Sequence, residues 1–348
     1  MNAILKREPM PGASYAQVDV PVPGSDEVLI EIKAAAICGT DIHLYNWDSS
    51  AASFTEKFNV DFPLTLGHEV SGVIVRLGSG VKDRKVGDRV SIETHIPCWK
   101  CYQCSIGNSY NCMDMGLYGI TYNGAFADYA LSPSALTYVL PDEVSFKEGA
   151  LFEPAGVALR AIGEANITPG DTVVVYGCGP IGLISAEAAR ACGACRVISI
   201  DINPFRLKLA EKAGSTVIDA REGKVVERVL ELTKARGGAD IVLEMTGAGE
   251  VYKTVFDLLR LEGKLVTVGH PAGEVSVNIT RDFNQKGVAI KGIFGRKIWS
   301  TWQELSSLVV GGKLNLSSVI SHEFKFSEYE KAFEATVGDS GKVMLFPD

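Results

Sequence analysis

The chain is short of positive charge. Its 34 lysines and arginines face 42 aspartates and glutamates, for a net charge of −8. No Lys/Arg run of the kind that neutralises phosphates is present, so no nucleic acid and no anionic membrane is expected as a partner. A long apolar run is also missing. The most apolar stretch, near Thr172 to Ala186, carries Gly177, Gly179, Pro180 and Gly182. It is shorter than a membrane span and is broken by turn formers. The opening MNAILKREPM has no apolar core like that of a secretory signal. A cytoplasmic protein is expected. Internal repeats and low-complexity segments are absent too. What is present is ordinary for a folded chain. Of 348 residues, 46% are hydrophobic and 22% charged, which excludes intrinsic disorder. At roughly 100–200 residues per domain, the length predicts two or three domains.

Two patterns divide the chain. Residues 1–150 read as β-rich, with runs such as Val28–Lys33, Gly72–Leu77 and Arg89–Glu93 punctuated by Gly, Pro and Asp turns. No long helical period is visible there. From about Gly170, strand and helix patterns alternate. Strands are predicted at Thr172–Tyr176, Arg196–Ile200, Thr216–Ile218, Asp240–Glu244, Lys264–Gly269 and Val288–Phe294. Helices are predicted at Ile181–Ala191, Pro204–Ala213, Val225–Ala235 and Glu250–Leu261. Such alternation argues an α/β, doubly wound parallel sheet. The tail from Gly295 holds one helix, Thr301–Val310, with strand-like ends, and is expected to return to the N-terminal domain.

Gly177-Cys178-Gly179-Pro180-Ile181-Gly182 fits G-x-G-x-x-G between a predicted strand and a predicted helix. The first glycine permits a tight turn, the second lets a pyrophosphate approach the backbone, and the third lets helix and strand pack closely. The helix N-terminus adds unpaired N–H groups and partial positive charge for phosphate. Asp201 ends the next strand, nineteen residues after Gly182. A carboxylate there accepts from ribose hydroxyls and repels a 2′-phosphate, which favours NAD over NADP. Arg206 nearby pulls weakly the other way.

Eight cysteines are present. Cys98-x2-Cys101-x2-Cys104-x7-Cys112 is the sharpest signal among them. Short spacers let one loop fold around an ion, and four thiolates close a tetrahedral zinc shell, so this site is structural. A second set is scattered: Cys38-Gly39-Thr40-Asp41 and Gly67-His68-Glu69. Mixed cysteine, histidine and glutamate ligands suit catalytic zinc, which keeps a position for substrate. Cys192-x2-Cys195 looks like a redox pair, but at a helix end beside Gly193 the reading is small core-facing residues.

In this order, the Cys38 and His68 motifs, the four-cysteine loop, Glu153-Pro154, the glycine motif and Asp201 resemble the zinc-dependent medium-chain dehydrogenase/reductase superfamily over nearly the full length. Cys38 to Asp48, His95-Ile96, Gly295-Arg296 with Trp302, and Ile320-Ser321-His322 resemble its threonine-oxidising branch. The resemblance implies a GroES-like β-rich catalytic domain from 1–153 and 295–348, and an NAD-binding Rossmann domain from 154–294. It implies two zinc ions per chain, the catalytic one on Cys38, His68 and Glu69, with Glu153 beside it. It implies Thr40 and His43 as a proton relay, histidine being the side chain that titrates near neutral pH. It implies cofactor contacts from Ile181, Asp201, Arg206, Val268, Gly269, His270, Ile293 and Phe294. Hydride transfer to NAD+ from a zinc-activated secondary alcohol follows, with L-threonine as the favoured substrate and 2-amino-3-ketobutyrate as its product. A homotetramer is also implied. Arg296 or Arg160 is the candidate for the substrate carboxylate. Val157, Arg160 and His270 depart from the branch's residues, so a polyol or vicinal diol dehydrogenase of the sorbitol or butanediol type is the alternative.

Overall fold

Strand Glu27–Ala36 carries buried residues along most of its length, Val28, Ile30 and Ile32 among them. A strand buried this fully needs partners on both edges. In the computed structural model, which describes all residues Met1–Asp348, it has them. Glu69–Leu77 pairs antiparallel on one edge, and Tyr129–Pro133 and Lys342–Phe346 share the other. The resulting seven-stranded sheet runs Thr137–Val139, Arg89–Ile92, Glu69–Leu77, Glu27–Ala36, Lys342–Phe346, Ile320–Lys325, with Tyr129–Pro133 off this path. A three-stranded sheet, Ser14–Gln17, Asn2–Lys6, Leu64–Thr65, accompanies it. The core here is Ile4, Ile30, Ile32, Leu66, Val70, Ile74, Phe126 and Phe326 with their neighbours.

The register positions the chemistry. Ala36 pairs with Glu69, and Ala36 also pairs with Met344. The residues just past the end of one strand, the start of its neighbour and the start of the last strand therefore converge on one end of the sheet. Cys38, His68-Glu69 and Lys342 lie there.

The second unit is a six-stranded parallel sheet in the order Thr216–Asp219, Arg196–Asp201, Thr172–Tyr176, Ala239–Glu244, Leu259–Thr267, Ala289–Gly292. By chain order this is 3-2-1-4-5-6, the doubly wound arrangement that binds dinucleotides at the carboxyl ends of its strands. Its core includes Val174, Ile198, Ile200, Val242, Phe256 and Leu265. The chain divides into Met1–Pro154, Lys297–Val310 and Ile320–Asp348 in one compact unit, and Ala155–Arg296 with Gly311–Val319 in the other. No helix is long and apolar enough to cross a membrane.

Three expectations need correction. The first 150 residues hold the helices Gly39–Asn46 and Ser49–Phe58, whose short apolar faces give little periodic signal. The predicted helix Glu250–Leu261 is two 3₁₀ turns, Gly249–Lys253 and Val255–Leu258, followed directly by strand. Val251, Thr254 and Val255 are β-branched and weaken a helix, and pairing of Leu259 with Ala239 claims the rest. Cys192 and Cys195 are exposed rather than core-facing. They flank the turn at Gly193 that follows helix Pro180–Ala191, where the chain runs over the surface.

Gly182 shows how tightly helix Pro180–Ala191 sits on its strand. A Cβ there would fall 1.9 Å from the Gly177 carbonyl oxygen. Gly182→Ala is expected to cost about 1–3 kcal/mol of stability through overpacking. A urea midpoint equal to wild type would show that the turn yields without strain.

Candidate metal and cofactor sites

Asp41 assembles the first site. It is fully buried in helix Gly39–Asn46, directly after Cys38 caps that helix. Its carboxylate accepts from the Cys38 backbone N–H at 2.9 Å and from the Gly67 N–H at 3.2 Å. The same Oδ1 that meets Gly67 lies 3.6 Å from Nδ1 of His68. One side chain thus ties together the two separate motifs. Gly67 permits the join: its φ is +92°, and a Cβ would meet the Phe126 ring at 2.1 Å. Nδ1 of His68 faces Asp41 at 3.6 Å without a hydrogen-bond partner, and Nε2 is the nitrogen left for an ion.

Cys38, His68 and Glu69 bring their donor atoms within 4.8 Å of one another. A sulfur, a nitrogen and an oxygen at this spacing fit a three-ligand zinc site. The electrostatics fit as well. Burial opposes a positive His68 ring, yet Asp41 and the Cys38 sulfur outweigh it and raise its pKa well above the usual histidine value. A pocket with this field draws a cation. Glu69 is fully buried, and burial raises its pKa while Lys342 pulls it back. Lys342 donates to both Glu69 oxygens, at 2.7 and 2.6 Å, and to the Ile37 carbonyl at 3.0 Å. Sequence reasoning missed Asp41 as a support and Lys342 as a counter-charge. Nothing in the local motif marks a lysine more than 270 positions downstream.

The other residues expected here divide. Thr40 Oγ1 lies 3.9 Å from the Cys38 sulfur. His43 is exposed, three residues along the same helix, with Nδ1 2.6 Å from Asp48. Asp48 in turn caps helix Ser49–Phe58 by accepting from Ser50 and Ala51. Glu153 is buried and accepts from Thr94 Oγ1 at 2.8 Å, and it lies outside the compact three-donor group.

The four cysteines of the loop also have their donor atoms within 4.8 Å of one another. The Cys101 sulfur lies 3.5 Å from that of Cys104 and 3.8 Å from that of Cys112. A tetrahedron with arms of about 2.3 Å has edges of about 3.8 Å, whereas a disulfide would need about 2.05 Å. The spacing fits one ion and no bridge. Backbone N–H groups of Cys98 and Asp114 donate to Cys112, and that of Met113 donates to Cys101. The Met113 and Cys104 amides lower the Cys101 pKa to about 6, which favours the thiolate an ion requires.

In the second unit, Gly177 has φ +103° and a Cβ there would strike Thr246 at 2.8 Å, whereas nothing lies within 4 Å of a Cβ built on Gly179. The open space at Gly179, at the uncapped start of helix Pro180–Ala191 with Ile181 in its first turn, is a cradle for phosphate. Asp201 accepts from the Cys178 N–H at 2.5 Å and the Asn203 N–H at 2.8 Å, which holds it against the glycine turn. Arg206 lies in the first turn of helix Pro204–Lys212. Val268 and Gly269 donate to the Glu244 carbonyl, while the buried Glu244 carboxylate accepts from Thr246 and Gly247. Glu244 thus shapes both loops at the sheet's carboxyl edge, and sequence reasoning did not single it out. His270 Nδ1 lies 3.0 Å from the Val268 carbonyl, and its ring stacks near exposed Phe294. Ile293 is buried and donates to the Thr267 carbonyl.

Both candidate arginines are buried, Arg160 at 5% and Arg296 at 1% exposure. Arg160 donates to the Phe294 carbonyl, and Arg296 packs over Gly156.

Two donor sets of different make-up predict selective metal loss. Cys101→Ser is expected to lower stability, because the loop loses its ion and with it its fold. Cys38→Ser is expected to keep the fold. Metal analysis and a thermal melt of each variant separate the two, and equal melting temperatures would contradict a structural role for the loop.

The comparisons agree along the chain. Residues 24–142 match the family described as alcohol dehydrogenase GroES-like domain, and residues 180–311 match zinc-binding dehydrogenase. An L-threonine 3-dehydrogenase of Pyrococcus abyssi is 38% identical over 348 residues, covering 99% of this chain and 98% of that protein. A 2R,3R-butanediol dehydrogenase from Bacillus subtilis superposes with a TM-score of 0.90 at 28% identity, covering 100% of this chain and 99% of the other. A Sinorhizobium meliloti protein solved with NADP has a TM-score of 0.90 at 29% identity, covering 99% of each chain. With this end-to-end likeness over both units and both donor sets, the chain belongs to the zinc-dependent medium-chain dehydrogenase/reductase superfamily.

Proposed function

We propose that this protein oxidises the 3-hydroxyl of L-threonine to give 2-amino-3-ketobutyrate, with NAD+ as acceptor and two zinc ions per chain. The observation that carries the reading is the Cys38, His68 and Glu69 donor group in a chain similar to an L-threonine 3-dehydrogenase over its whole length. Zinc, when bound, supplies Lewis acidity that makes an alkoxide accessible near neutral pH. NAD+ supplies the hydride acceptor. The chain does the rest. Cys38, His68 and Glu69 hold the ion, Asp41 sets the histidine ring, and Lys342 offsets the Glu69 charge so that the ion keeps more of its own. Thr40, beside the Cys38 sulfur, takes up the hydroxyl proton's hydrogen bond, and exposed His43, whose Nδ1 lies 2.6 Å from Asp48, passes the proton to water.

Supporting features extend the reading. Asp201 at the glycine turn favours NAD. Strand Ala289–Gly292 ends its sheet with all four residues exposed, Ile290 among them. This edge carries Ile290 beside the charged Lys291, and an open edge can pair with a second copy, which supports a homo-oligomer. Reduced, clustered thiols support a cytoplasmic setting. The similarity to a butanediol dehydrogenase, with Val157 and Arg160 where the threonine branch differs, favours a vicinal diol or polyol as the second reading.

NADH absorbance with L-threonine, 2,3-butanediol and sorbitol decides between them. Preference for a diol or sorbitol over threonine would overturn the first reading. Arg296 is the proposed partner of the threonine carboxylate, and an unpaired carboxylate in a dry site costs about 2–5 kcal/mol. Arg296→Ala is therefore expected to lower kcat/KM for threonine roughly 30- to 4,000-fold, at about 1.4 kcal/mol per tenfold, and to spare a neutral diol. Equal loss on both substrates would assign Arg296 to the fold. Asp201→Gly is expected to shift the kcat/KM ratio towards NADP, since the repelling carboxylate goes while Arg206 stays. An unchanged ratio would remove Asp201 from the ribose.

A further inference from the structure

Glu244 is fully buried at the carboxyl end of strand Ala239–Glu244. Its carboxylate accepts from the Thr246 N–H at 2.7 Å, the Gly247 N–H at 3.0 Å, the Thr246 hydroxyl, and the Tyr252 hydroxyl at 3.4 Å. Four donors converge on it, and the ionised carboxyl is the form that only accepts. Burial, and then this charge, pushes the Tyr252 hydroxyl up to about 12, so it stays protonated and donates. All four partners are neutral, and Glu244 forms no ion pair. Asp240, near the other end of the same strand, is also buried but meets Arg236 at 2.7 Å and Arg260 at 2.6 Å. A charge buried without a counter-charge is costly. Shaping a turn does not require one, because a neutral acceptor takes the same hydrogen bonds.

The strand order points to the missing counter-charge. A 3-2-1-4-5-6 sheet has two halves, each a platform for one nucleotide. The glycine turn and Asp201 lie on the first half, which takes the pyrophosphate and the ribose whose 2′-position separates NAD from NADP. Strand Ala239–Glu244 opens the second half, so Glu244 ends a strand of the half that takes the nicotinamide nucleotide. The two loops at this edge are pressed together. A Cβ on Gly269 would fall 2.1 Å from the Gly247 nitrogen, and one on Gly247 would fall 2.8 Å from the His270 carbonyl oxygen. Glu244 holds both loops, one through its carboxylate and the other through its carbonyl, which accepts from Val268 and Gly269. The anion is thereby fixed in place.

We propose that Glu244 is a built-in counter-charge for the cationic nicotinamide ring of the oxidised cofactor, so that the protein discriminates NAD+ from NADH by charge. The inference rests on the cofactor reading of the glycine turn and Asp201. The ring loses its positive charge when it takes up hydride, and the attraction goes with it. The field of Glu244 therefore favours uptake of the oxidised cofactor and release of the reduced one, the direction that alcohol oxidation needs.

The test uses the full-length, zinc-loaded protein as wild type and Glu244→Gln. Glutamine removes the charge and keeps the shape. Its amide oxygen can take the three donors that meet one carboxylate oxygen, and its NH2 can donate to the Tyr252 hydroxyl at the other. Titration calorimetry gives Kd for NAD+, for NADH, and for an NAD+ analogue with a neutral benzamide ring in place of nicotinamide. NADP+ and NADPH, which carry the same two rings, are titrated alongside. Glu244→Gln is expected to bind the oxidised cofactor on the order of 10-fold more weakly, the scale of one charge acting through a protein interior. NADH and the neutral analogue should bind as they do to wild type. An unchanged affinity for the oxidised cofactor overturns the inference. So does equal weakening of all ligands, which would assign Glu244 to loop shape alone. If Glu244→Gln does not fold, wild type decides: a neutral analogue that binds as tightly as NAD+ overturns the inference, and one that binds about 10-fold more weakly supports it. A wild-type protein that binds none of these dinucleotides overturns the cofactor reading and the inference together.

Discussion

A single buried carboxylate holds the catalytic end of this molecule together. Asp41 spends one oxygen on the backbone of Cys38 and the other on the backbone of Gly67, with the His68 ring beside it. Burying a carboxylate is costly unless every oxygen is met, and burial raises the Asp41 pKa against the pull of His68 and the two N–H groups. The cost secures a joint between two loops that share no local sequence. Without it, Cys38 and His68 would be neighbours only through sheet register, which places backbones and leaves side chains to find their own geometry.

Around that joint the charges are arranged for a cation. Cys38, Glu69 and Asp41 gather at one end of the sheet, and Lys342 is the lysine set among them. Burial alone would lower the Lys342 pKa, but Glu69 and the Cys38 sulfur raise it. A divalent ion placed in such a field, with little water to screen it, is attracted far more strongly than at the surface.

The two candidate metal sites are built by opposite strategies. The four cysteines lie within fifteen residues, and their loop is shaped by its own amides donating to sulfur. The Cys38 site gathers residues from the ends of three strands, one of them at the far end of the chain. A local site stabilises a loop. A site spread over a sheet depends on the sheet, and this suits a centre whose ligands must stay in place while substrate comes and goes.

The sequence alone determined whatever depends on short spacing. The four-cysteine set, the glycine turn with Asp201, the parallel order of strands and the pairing of Cys38 with His68-Glu69 by resemblance were all legible, because each is a local pattern or a chain of local patterns. The helix Ser49–Phe58 was not legible, nor the conversion of Glu250–Leu261 into turns and strand, because weak local preference yields to pairing. Cys192 and Cys195 looked inward by composition and face outward by the turn at Gly193. Lys342 on Glu69, Thr94 on Glu153 and Trp302 on Glu93 belong to tertiary structure alone. Their partners are 59 to 273 residues apart. Over such distances no periodicity links two residues, and only the antiparallel register and the returning C-terminal strands decide which buried charge meets which.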